Sequence, residues 1–121
     1  MNREIEFRAK SVDTGDWVIG NLCWYKTGEC YIEERVDEEC AFPVDPDTVG
    51  QYTGIMDTNG VKVFEGDIVY VNGDDIGVIE YKCGCFYVRC DGYEGTFYDN
   101  YFGSDVEVIG NIYENKELLN E

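Results

Sequence analysis

The chain has 121 residues, the size of one domain, and its 26 Asp and Glu against 9 Lys and Arg leave a formal net charge of −17. At one charge per ~1.7 Å this equals the charge of roughly 30 Å of duplex DNA, which argues against direct binding of nucleic-acid phosphates. No stretch approaches 18 apolar residues, and the charged start MNREIEFRAK lacks the apolar core of a signal peptide, so the expectation is a soluble protein of a cytoplasm with no membrane contact.

Fourteen Gly, two Pro and a 15% aromatic content that includes ten Tyr suit short twisted strands joined by glycine turns, and the class expected is mainly β. EIEFRAK reads as a first strand with Ile5 and Phe7 on one face. DWVIGNLCWY is a strongly apolar second strand carrying Trp17, Val18, Ile19, Leu22, Trp24 and Tyr25. Lys26-Thr27-Gly28 turns it into ECYIEE, with Cys30 and Ile32 facing away from Tyr31. The run EERVDEE reads as a solvated acidic loop, after which Phe42 and Val44 lead through Pro43, Pro46 and Gly50 into a second lobe.

In that second half, Asp57-Thr58-Asn59-Gly60 and Glu65-Gly66-Asp67 have turn chemistry, and Ile68 to Val71 form a strand. Asn72-Gly73-Asp74-Asp75 closes a hairpin onto IGVIEYK, CFYVRC and GTFYDNY add strands around Asp91-Gly92, and VEVIGNIY precedes a short helical tail in ENKELLN. These short strands suggest a small SH3-like barrel over residues 64–113. The division expected is an N-terminal β lobe at 1–50 and a barrel lobe with its tail at 51–121.

Six cysteines, Cys23, Cys30, Cys40, Cys83, Cys85 and Cys90, would permit 15 disulfide pairings, but a reducing cytoplasm disfavours them. Zinc is also disfavoured: Cys83, Cys85 and the following Cys90 could supply thiolates, but the spacing is C-x-C, the chain has no His, and a fourth ligand would have to come from far away. If residues 83 and 85 lie in a strand they share a face and act as small buried hydrophobes. The expectation is no metal and no cofactor.

REIEFRAK, GDWVIGNL, DPDTVGQYTGIMDTNGVKVFEGDIV and VIGNIYENKELL, in that order, resemble the YopX family of phage and prophage proteins over nearly the whole chain. Lys116 departs from the Pro frequent in the family's YENPELL ending, which bears only on how the tail helix starts. The resemblance implies an N-terminal β lobe, a C-terminal barrel and self-association, and no established activity.

The residues themselves offer little for catalysis. A nucleophile needs a base beside it, usually His, and Thr53 is the hydroxyl in the most suggestive setting, with Thr48 and Thr58 in turns. Glu65 and Asp67, separated by one Gly, are read as acceptors for backbone amides, and Gly54, Gly60, Gly66 and Gly110 as backbone requirements. The expectation is a non-enzymatic binding or assembly module, a homo-oligomer with a host or phage protein partner, whose aromatics Trp17, Trp24, Tyr52, Phe86, Tyr87 and Tyr93 mostly fill the core and otherwise an interface. The alternative is an acidic mimic of nucleic acid that inhibits a host enzyme through the patch Glu33, Glu34, Asp37, Glu38 and Glu39.

Overall fold

The computed structural model describes residues 5–34, 41–71, 75–90, 93–96 and 106–119. The fold is mainly β, with eleven strands among these residues and two short 3-10 turns at Pro46–Thr48 and Lys116–Leu119. The chain divides into two compact units, Met1–Tyr52 and Thr53–Glu121.

The first unit contains β1 (Phe7–Lys10), β2 (Trp17–Trp24), β3 (Cys30–Glu33), β4 (Ala41–Val44) and the start of β5 (Gly50–Met56), in the spatial order β4-β3-β2-β1-β5. Alternation sets the inner face. Val18, Gly20 and Leu22 point inward from β2, while Ile19 and Asn21 point outward. Ala9, Val18, Cys30, Ile32 and Val44 form the buried core, with Phe7, Leu22, Phe42 and Val49 packed against it. Ile5 precedes β1 and is exposed, so it does not share the inner position of Phe7. The β2–β3 hairpin turns where expected, closed by Tyr25 N–H to Glu29 O at 2.9 Å and Gly28 N–H to Tyr25 O at 3.0 Å.

The free edge of β4 is partly covered by the chain that follows β1. A bridge joins Ser11 and Val44, flanked by Val12 N–H to Pro43 O at 3.0 Å and Asp45 N–H to Lys10 O at 2.9 Å. Thr48 Oγ1 fastens the 3-10 turn to the same place, accepting from Lys10 N at 2.9 Å and donating to Asp45 O at 2.7 Å. An edge strand that contains Pro43 and is partly covered in this way is a poor template for runaway pairing.

In the second unit β5 runs on to Met56 and is followed by β6 (Lys62–Phe64), β7 (Asp67–Val71), β8 (Asp75–Lys82), β9 (Cys85–Cys90), β10 (Tyr93–Thr96) and β11 (Val106–Asn111). β5 and β6 neighbour each other, and the other five strands form an antiparallel sheet in the order β10-β9-β8-β7-β11. Sequence reading gave no strand to residues 50–64. Two are present, joined through the Asp57 to Gly60 turn. Their side chains Ile55 and Val63 pack on a cluster of Val69, Val71, Ile79, Val88, Cys90 and Val106. That hairpin accounts for the difference from the expected barrel: among the described residues the sheet is open, and its apolar face is covered by β5 and β6 without closing on itself.

The tail is a 3-10 turn and not an α-helix. A few residues cannot offset the cost of helix nucleation, and the segment is held by Asn111 and Asn115 instead. Asn115 N–H donates to Asn111 O at 2.9 Å, and Asn111 Oδ1 accepts from the amides of Tyr113 and Glu114 at 3.0 Å each.

Candidate functional site

The polar groups that sequence reading marked for chemistry are bound into the backbone. Thr53 Oγ1 lies 2.9 Å from Val63 O, to which it donates, and accepts from Ile55 N at 3.2 Å, so it ties β5 to β6. Asp67 is buried and accepts from Phe64 N at 2.7 Å, the amide-binding role read for the Glu65 and Asp67 pair. Between them Gly66 has φ +94°, and a Cβ there would meet the Tyr113 ring at 3.1 Å. Its N–H donates to Ile79 O at 2.8 Å and its carbonyl accepts from Ile112 N at 2.9 Å, so this turn joins three segments.

Asp57 does more than its turn composition indicated. One carboxylate oxygen accepts from Asn59 N at 2.8 Å and Val61 N at 2.9 Å. The other accepts from Val108 N at 3.0 Å. Thr58 N–H to Val106 O at 3.1 Å runs alongside, so a turn residue and its neighbour occupy the outer edge of β11.

The cysteines depart from expectation. Cys83 and Cys85 are exposed, as is Cys23, whereas Cys30 and Cys90 are buried; Cys40 lies outside the described residues. Cys83 and Gly84, at φ 54° and 79°, form the two-residue turn between β8 and β9, with Lys82 and Cys85 paired on either side. The chain reverses at Gly84, so residues 83 and 85 do not lie along one strand as buried hydrophobes. Burial, and then the Asp45 carboxylate, push the Cys30 thiol above its ordinary range. No group of three or more metal-ligating side chains occurs among the described residues.

Of the acidic patch, Glu33 ends β3 opposite Asn21 and Ala41, and Glu34 follows it; both are half-buried. Asp37, Glu38 and Glu39 lie outside the described residues. The aromatic side chains are less internal than expected. Tyr52 is buried, but Trp24 and Tyr25 are 54% and 55% exposed, and Phe86 and Tyr87 are half-buried. The side chain of Tyr93 is outside the description. Trp17 is half-buried beneath two cations of β1, with the Arg8 guanidinium 4.5 Å and the Lys10 ammonium 5.5 Å from its ring centre.

Two concave sites stand out. In the second unit a cavity of about 310 Å³ is bordered by Glu65, Glu80, Tyr81, Lys82, Arg89 and Tyr113. Its charges are largely engaged: Arg89 Nε lies 2.8 Å from Glu80 Oε2, and the Lys82 ammonium lies 5.2 Å from the Tyr87 ring centre.

The larger site, about 470 Å³, lies in the first unit and draws on three separated segments: Val12, Thr27 to Tyr31, and Pro43 to Pro46. Buried Cys30 and Val44 form its floor; Val12, Tyr31, Pro43 and Pro46 form its walls, and Glu29 its rim. Tyr31 stacks edge-on against Tyr25 with ring centres 5.4 Å apart, and Trp24 is paired with Cys30 in register. Sequence reading did not find this groove, because nothing in the spacing of residues 12, 31 and 43 announces that they meet.

The fold has a solved counterpart. The crystal structure of protein EF1440 from Enterococcus faecalis is similar to this chain with a TM-score of 0.64 and 22% identity, covering 98% of this chain and 99% of that one. No curated protein matches the chain. No helix among the described residues is long and apolar enough to cross a membrane. The sequence model of the YopX protein matches residues 6–120, and the chain belongs to the YopX family.

Proposed function

We propose that this protein is a phage- or prophage-encoded, non-enzymatic binding and assembly module that self-associates and acts inside the bacterial cell. The observation that carries the reading is a pair of exposed aromatics, Trp24 and Tyr25, at the end of β2, where Tyr25 stacks on the half-buried Tyr31 that lines the apolar groove of the first unit. Large aromatics at the surface beside a concave apolar site are the usual anchors of protein interfaces. The hydroxyl and carboxylates best placed for chemistry, Thr53, Asp57 and Asp67, serve backbone amides and carbonyls.

The net charge of −17 supports a second reading, an acidic inhibitor that imitates nucleic acid on a host enzyme. Capture of host proteins at low and high salt separates the two. Wild type is compared with a variant in which Glu33, Glu34, Asp37, Glu38 and Glu39 are replaced by Gln or Asn. The module reading expects an unchanged set of captured partners, since it gives these charges no part in recognition. Loss of one basic partner from the variant alone favours the inhibitor.

A further inference from the structure

The groove of the first unit is lined mostly by apolar side chains, with Glu29 as its one charged lining residue and three further acids next in sequence to lining residues. Glu29 lines it, Asp45 and Asp47 stand on either side of the wall residue Pro46, and Asp13 follows Val12; all four are exposed. Lys26 is the one cation next in sequence to a lining residue. Burial, and then the nearby Asp45 carboxylate, push the thiol of Cys30, which lines the groove, above its ordinary range. Tyr31 and the two prolines offer flat apolar surface of the kind that receives an aliphatic stem, while carboxylates receive the charged head. A volume of about 470 Å³ is in the range of ligand sites and admits several side chains.

We propose that this groove receives a short basic segment of a partner protein, an arginine or lysine laying its stem against Tyr31, Pro43 and Pro46 with its head toward Glu29 and Asp45. The assignment rests on the binding-module reading and names the chemistry of the partner. A neutral apolar segment would fill the walls but leave the acidic rim without a counterpart, and an acidic one would be repelled by it.

The test uses a fluorescein-labelled peptide of alternating arginine and leucine, with alternating serine and leucine as the neutral comparison, and reads anisotropy at physiological salt. Any cationic peptide is drawn to so acidic a protein, so two charge-matched variants are compared. Glu29→Gln with Asp45→Asn is expected to weaken binding about tenfold, Asn keeping the turn-capping role of Asp45. Glu107→Gln with Glu117→Gln removes the same charge from exposed positions of the second unit and is expected to change binding less than about twofold. Equal loss in both variants would assign the attraction to the overall field and overturn the proposal. So would equally tight binding of the neutral peptide. Absence of peptide binding while host-partner capture persists overturns the groove assignment and leaves the module reading standing.

Discussion

Replacing Asp57 with Ala is expected to destabilise the second unit by about 4 kcal/mol in urea unfolding. The carboxylate accepts three backbone amides, from Asn59, Val61 and Val108, at 2.8 to 3.0 Å, and the residue is 6% exposed. Hydrogen bonds to a charged group are each worth about 1.5–3 kcal/mol, and the loss is moderated because Asn59 and Val61 lie where water can reach them. The effect also reaches across 51 residues of sequence, since the Val108 bond holds β11 to the turn. Asp57→Asn retains one carbonyl oxygen but turns an NH₂ group toward an amide donor, and is expected to lose about 2 kcal/mol. Hydrogen exchange should show the amides of Asn59, Val61 and Val108 losing protection first. A variant of wild-type stability would show that the turn holds without its carboxylate.

The second large effect is expected at Gly20. A Cβ built there would lie 2.2 Å from the Glu33 carbonyl oxygen and 3.0 Å from Glu34 Cα, both backbone atoms that cannot swing aside. Glycine inside a strand often marks such a close approach. Gly20→Ala must push the middle of β2 away from the end of β3, at a cost of about 3 kcal/mol, the upper part of the range for overpacking. Asn21→Ala, the next residue, faces outward and should stay within about 0.5 kcal/mol of wild type. Thermal unfolding of the pair distinguishes a local steric requirement from general weakness of the strand.

These two positions mark where sequence reading succeeds and fails. Periodicity and turn residues located β2, β3, β7, β8, β9 and β11, because alternation and Gly-containing turns are local signals. They also identified the amide-binding role of Asp67, which is fulfilled three residues away at Phe64. The Asp57 bond to Val108 and the contact of Gly20 with Glu33 depend on strand neighbours distant in sequence, so composition cannot reveal them. The Cys83-Gly84 turn escaped because a cysteine rarely takes positive φ, although the strand CFYVRC does begin at Cys85. The expected barrel counted strands correctly in kind but took no account of β5 and β6, whose Ile55 and Val63 cover the sheet. The groove was hidden for the same reason as the Asp57 clamp: three segments meet there only after folding.

The functional reading turns on whether the aromatic surface of the first unit brings copies of the chain together. Light scattering coupled to size exclusion, at physiological salt and over a range of concentrations, tests this most directly. The account predicts a mass of at least two chains, with Trp24→Ser and Tyr25→Ser together shifting it toward one. A monomer mass at every concentration would contradict it.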